Sequence, residues 1–150
     1  MPEATSTQPL TGPSVRALAE RWYAALDRHD SSAEVSRLLV DEGLELRFPE
    51  GTFHGHRGFA RWYGAVCRRF FDEEHTLGEV RAEIEGAEAR VHVRVAWRAR
   101  RWNPPAARSE WLGFHADQTW TVVPAEDGGG PLIKTYVCNA LEPMPGSAAL

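Results

Sequence analysis

Residues 79–94 read EVRAEIEGAEARVHVR, and no other stretch narrows the possible folds as far. A two-residue turn at Gly86-Ala87 pairs Ile84 with Ala89, Ala82 with Val91 and Val80 with Val93, so one face of the hairpin is apolar throughout. The opposite face then pairs Glu83 with Arg90, Arg81 with His92 and Glu79 with Arg94, mostly as opposite charges. A one-residue slip would exchange the two faces, so the pattern fixes the register. A long antiparallel hairpin with one buried face must lie on a layer of other elements, which the first half of the chain has to supply.

That half reads as helices. Val15, Leu18, Ala19, Trp22, Ala25 and Leu26 recur at three- and four-residue spacing from Ser14 to about His29. Ser31 and Glu34 form a capping-box pattern before Val35, Leu38 and Leu39, a short second helix. Leu44, Leu46 and Phe48 alternate with Glu45 and Arg47 in a strand that stops at Pro49-Glu50-Gly51. Phe59, Trp62, Tyr63, Val66 and Phe70 mark a third amphipathic helix to about Phe71. Beyond the hairpin, strands are predicted from about Trp111 to Val123 and from Leu132 to Leu141. Helices before strands make the class α+β, with one domain over 14–141. Residues 1–13, with three prolines and four hydroxyl residues, read as a frayed tail, and 142–150 as a Pro/Gly tail.

Composition removes several classes of function. A net charge of -4 gives no global field for nucleic acid or anionic membrane. No apolar run approaches the ~20 residues of a membrane span, and the start MPEATSTQPLTGPS lacks the basic and apolar segments of a signal peptide, so a cytoplasmic protein is expected. Cys67 and Cys138 share no metal or redox spacing and read as small core residues. Sixteen arginines beside the single Lys134 fit high-GC bacterial coding.

The strings ERWYAALDRHD, Phe53-His54-Gly55 followed by Phe59 and Trp62-Tyr63, and GEVRAEIEG leading to the alternating valines before Trp97, taken in order, resemble the nuclear-transport-factor-2-like superfamily. The similarity is to its SnoaL-like polyketide cyclase and ketosteroid isomerase branches and covers residues 14–141. It implies three helices packed on a strongly curved, mostly antiparallel sheet, a cone around an apolar pocket. It also implies a homodimer through the outer sheet face, here decorated with Arg90, Arg94, Arg98 and Trp102 or Tyr136. The isomerase acids do not carry over: Trp22 stands at the oxyanion tyrosine and Phe48 at the general-base aspartate, so ketosteroid isomerase chemistry is disfavoured. On the penultimate strand, Gln118 faces inward if Phe114, Ala116, Trp120 and Val122 form the buried stripe, and Asp117 does if the register shifts by one.

His75 is the acid/base candidate. A bulge at Gly78 would change the phase of the strand and return Leu77 and His75 to the pocket face. One carboxylate of Asp72-Glu73-Glu74 could orient it, although these three read first as a solvated helix end. His54-Gly55-His56 with His75 invites a metal reading, but no carboxylate or cysteine at ligand spacing supports it, and neither a metal nor a cofactor is expected. Trp22, Phe48, His54, Phe59, Trp62, Tyr63, Val93, Trp97 and Trp120 are the predicted ligand walls, and Gln118 and Asn139 the orienting polar groups. The resemblance thus implies a pocket for an apolar cyclic or aromatic small molecule and cofactor-independent isomerase, cyclase, dehydratase or hydrolase chemistry. A non-catalytic ligand-binding or assembly module is the alternative.

Overall fold

The structure is a computed structural model that describes residues 9–150. Three helices, α1 (Gly12–Asp27), α2 (Ser32–Val35, extended by a 3-10 turn over Ser36–Leu38) and α3 (Gly55–Arg69), pack on a six-stranded sheet. The strands are β1 (Glu45–Phe48), β2 (Gly51–His54), β3 (Phe71–Glu85), β4 (Glu88–Arg101), β5 (Glu110–Pro124) and β6 (Pro131–Pro143), in the order β2-β1-β6-β5-β4-β3. All neighbours are antiparallel except β1 and β6, so the sheet is mixed. The arrangement is the expected α+β cone.

The β3–β4 register is the predicted one from Val80↔Val93 to Ile84↔Ala89. A register shift between Leu77 and Val80 puts a bulge at Gly78, where a Cβ would stand 3.2 Å from the Arg94 carbonyl oxygen. The bulge breaks the expected Glu79–Arg94 pair: Glu79 meets Arg81 and His92 instead, and Arg94 lies opposite Asp117. Asp72-Glu73-Glu74 is not a helix end. The helix stops at Arg69, and the three residues already belong to β3, with Asp72 at a φ of 52° inside a second irregularity.

α1 lies across β3 and β6 and buries Val15, Leu18 and Trp22 completely, each contributing about 1.5–3 kcal/mol relative to an exposed side chain. It begins two residues earlier than expected. Thr11 Oγ1 accepts from the Ser14 amide at 3.1 Å while Ser14 Oγ accepts from the Thr11 amide at 3.0 Å, a reciprocal cap, and Leu10 is buried. Residues 9–13 are therefore not a frayed tail, and residues 1–8 of that expectation lie outside the described residues. The C-terminal segment also packs: the Met144 amide bonds the Gly113 carbonyl at 2.8 Å and the Ala148 amide the Trp111 carbonyl at 2.9 Å. Gly113 permits this approach, since a Cβ there would stand 2.5 Å from the Trp111 ring and 2.9 Å from Met144 Sδ.

Candidate active site

Asp27 closes α1 one turn after Tyr23, so the two side chains leave the same face of the helix. The first half of β3, turned by the Gly78 bulge, brings His75 to meet them. His75 Nδ1 lies 2.6 Å from Asp27 Oδ1, and Asp27 Oδ2 accepts from the His75 backbone amide at 3.0 Å. The imidazole stacks on Tyr23 with centroids 4.7 Å apart and has Trp97 on its other flank at 6.5 Å. A carboxylate oxygen can only accept, so the neutral imidazole carries its proton on Nδ1 and presents the Nε2 lone pair. Nε2 has no hydrogen-bond partner among the described residues, and His75 lines a cavity of about 600 Å³.

A second histidine–carboxylate pair joins the same two segments in the opposite sense. His29 Nε2 contacts Glu73 Oε2, and Glu73 Oε1 accepts from Trp97 Nε1 at 3.1 Å. The Glu73 side chain is only 3% exposed, which explains why it needs both partners.

The cavity floor is a closed hydrogen-bond network. Gln118 Oε1 accepts from Tyr23 Oη at 2.5 Å and from Trp120 Nε1 at 3.1 Å, and its Nε2 donates to Tyr136 Oη at 3.0 Å. An indole nitrogen can only donate, which fixes the amide orientation. Tyr136 therefore receives a hydrogen bond and keeps its own proton for Tyr23 Oη, 3.3 Å away, or for a ligand in the cavity it lines. Burial pushes the Tyr136 hydroxyl up to about 12, holds that of Tyr23 well above its ordinary value, and pushes the Cys138 thiol up to about 11.

Of the predicted site residues, His75, Phe48, Trp62, Trp97 and Gln118 line the cavity. Gln118, not Asp117, faces inward, and Asp117 turns outward to His92 and Asn139. Trp22, Phe59, Tyr63, Val93 and Trp120 are buried behind the walls rather than in them, with Tyr63 Oη donating to the Asp30 carbonyl at 2.6 Å. His54 is 72% exposed near Glu45 and does not reach the cavity. Asn139 is exposed on the outer face, bonded to Thr119 at 2.9 Å. The β5–β6 register jumps from Asp117↔Ala140 to Gln118↔Cys138, so Asn139 is the extra residue of a bulge and Cys138 takes its expected place. The same parity carries Tyr136 inward, off the outer face. His54, His56 and His75 diverge to Glu45, the Val40 carbonyl and Asp27, and the described residues contain no cluster of three potential metal ligands.

Asp27, Tyr23 and Tyr136 are site residues that sequence reasoning missed, and the carboxylate that orients His75 is Asp27 and none of Asp72-Glu73-Glu74, of which Glu73 pairs with His29. A signal existed for Asp27, which is four residues beyond Tyr23 and directly follows Leu26 on the apolar stripe.

The cone agrees with the family comparison: a model of the SnoaL-like domain matches residues 13–129. The chain belongs to the SnoaL-like family. Among solved structures, the SnoaL-like chain is similar to hexachlorocyclohexane dehydrochlorinase LinA-type3 from Novosphingobium barchaimii LL02, at 15% identity and a TM-score of 0.72, with 92% of each chain covered. It is also similar to a nuclear transport factor 2-like superfamily protein from Salmonella enterica serovar Typhimurium LT2, at 15% identity and a TM-score of 0.70, again over 92% of both chains. A candidate dehydratase of the same superfamily from Streptomyces avermitilis matches with 17% identity and a TM-score of 0.72 over 88% of this chain and 95% of its own. These likenesses show the fold. No curated protein matches the sequence.

Proposed function

We propose that this SnoaL-like protein is a cofactor-independent lyase or isomerase whose proton carrier is His75. The observation that carries the reading is the Asp27–His75 pair, with Nε2 open to an aromatic cavity. A carbon acid held against Nε2 gives its proton to that lone pair, and the electron pair left behind expels a leaving group from the neighbouring carbon or shifts a double bond. The imidazolium formed is stabilised by the Asp27 carboxylate 2.6 Å away. In a dehydration the same proton can then leave with the departing hydroxide as water, and in an isomerisation the imidazolium returns it to the carbon at the far end of the shifted double bond. Tyr136, held as a donor by the Gln118 amide, is placed to hydrogen-bond a carbonyl or phenolate oxygen on which negative charge develops. Relatives of this fold named as a dehydrochlorinase and as a candidate dehydratase support elimination as the reaction class.

The test is a thermal-shift screen of cyclic and aromatic small molecules followed by turnover assays of the hits. His75→Asn should keep fold and binding but lower turnover by roughly 10²–10⁴-fold. Equal stabilisation of both proteins with conversion by neither would leave the cavity as a receptor site. The protein is also proposed to be a cytoplasmic homodimer through its outer sheet face. A groove of about 500 Å³ there is lined by acidic, basic and threonine side chains, among them Glu83, Arg90, Thr119 and Thr121, which suits a self-complementary contact. Light scattering showing a monomer at micromolar concentration would reject that assembly.

A further inference from the structure

Arg61, Arg68 and Arg69 all line the cavity, together with Ala65 of the same helix. Steps of four, seven and eight residues place these side chains within roughly 100° of arc on α3, a single face turned to the cavity mouth. Among the described residues none of the three guanidinium groups forms an ion pair, whereas Arg16, Arg28, Arg47, Arg81 and Arg101 each have a carboxylate within 4.0 Å. The Arg69 guanidinium is held 5.1 Å above the Phe70 ring, which orders it beside the opening. Glu50, Glu73 and Leu150 also line the cavity, but neither acidic side chain pairs with the three arginines: Glu73 is turned to His29 and Trp97, and Glu50 forms no ion pair among the described residues. Helix-dipole complementarity accounts for cations in the last turn of α3 but not for Arg61, in its middle. Nor does the overall charge account for the basic rim, because the chain carries a net of -4.

We infer that the cavity takes an aromatic anion, a flat apolar body bearing a carboxylate, sulfonate or phosphate, with the anionic group on Arg61, Arg68 and Arg69 and the body between Trp97 and the stacked Phe48–Trp62 pair. Aromatic walls supply affinity for the body, and planar guanidinium groups at the wet rim select the charged end. This rests on the preceding reading only in taking the same cavity as the substrate site.

The test is direct binding, which needs no turnover. Anilinonaphthalenesulfonate and N-phenylnaphthylamine share one aromatic body, and only the first is anionic. Fluorescence titration should show the sulfonate binding tighter, with its Kd rising with salt. Arg61→Gln, Arg68→Gln and Arg69→Gln should each weaken it by about three- to tenfold and leave the neutral dye unchanged. Ala65→Trp, which fills the mouth, should weaken both dyes, and Arg94→Gln on the outer face neither. Naphthoate should displace the sulfonate where naphthamide does not.

Equal affinity for the two dyes, parallel loss of both in the arginine variants, loss through Arg94→Gln, or no binding of either dye up to roughly 1 mM would each overturn the inference. Circular dichroism confirms that each variant is folded before it is titrated. An inert His75 would leave these titrations untouched, so the anion preference and the proton chemistry stand or fall separately.

Discussion

Replacing Asp27 with asparagine tests the core of the site without knowledge of a substrate. The carboxylate accepts twice, from His75 Nδ1 at 2.6 Å and from the His75 backbone amide at 3.0 Å. Asparagine offers one acceptor and one donor. The backbone N–H can only donate, so the amide oxygen must turn to it, or a part-buried N–H loses its partner at a cost of about 1–3 kcal/mol. The amide NH2 then faces Nδ1 and forces the imidazole proton onto Nε2, the atom that must be free to take a proton from substrate. Turnover should fall by on the order of 10⁴-fold, as when the same substitution traps a catalytic histidine in the wrong tautomer. Stability should fall by about 1–3 kcal/mol, a Tm loss of several degrees for a chain of this size. Nitrogen NMR of histidine-labelled protein reads the tautomer directly, with the His75 signals assigned by their absence from His75→Asn. A wild-type spectrum with the proton already on Nε2, or an Asp27→Asn spectrum with it still on Nδ1, would refute the reasoning.

Gln118→Leu should cost about 2–4 kcal/mol, because Trp120 Nε1 loses its acceptor and the Tyr23 and Tyr136 hydroxyls lose their shared partner; denaturant unfolding measures it, and a loss below about 1 kcal/mol would mean that the network is not closed. Tyr23, Tyr63 and Tyr136 all hold their protons above the ordinary value of 10.0, chiefly through burial. The folded state binds these protons more tightly than the unfolded one, so the stability they contribute is complete below about pH 10 and is lost as pH rises beyond it. Tyrosinate absorbance and loss of circular dichroism should therefore appear together, and a tyrosine ionising near pH 10 in folded protein would contradict this. Gly113→Ala should destabilise by about 1–3 kcal/mol, since its Cβ would collide with Trp111 and Met144; an unchanged Tm would show that the C-terminal segment yields freely.

What could be read from the sequence was whatever a short window encodes. The β3–β4 register follows from alternation around one turn, and the Gly78 bulge from a change of phase beside a glycine. The bulge at Asn139 has no glycine to mark it, so alternation carried through it put Asn139 inside and Tyr136 outside, the reverse of what is found. Asp27 looks like any polar residue ending a helix, because its partner is 48 residues away and only the tertiary fold brings them together. The face of α3 bearing Arg61, Arg68 and Arg69 cannot be told in sequence from a solvated surface, since a cavity mouth is wet and gives no hydrophobic signature. Buried walls and cavity walls are equally aromatic in sequence, so Trp22 and Phe59 could not be told from Phe48 and Trp62.

The extra residue at Gly78 divides β3 into two lengths that obey opposite parity: Glu73, His75 and Leu77 point inward on one side of it, Val80 and Ala82 on the other. Removing one residue at this point would turn the proximal length over, exchanging His75 for Thr76 or Glu74, while leaving every pair of the distal hairpin in place. The strand therefore carries its cavity-facing residues and its distal hairpin as separately heritable segments. A lineage could rewrite which side chains line the pocket by insertion or deletion at one position, without renegotiating the register of the distal hairpin.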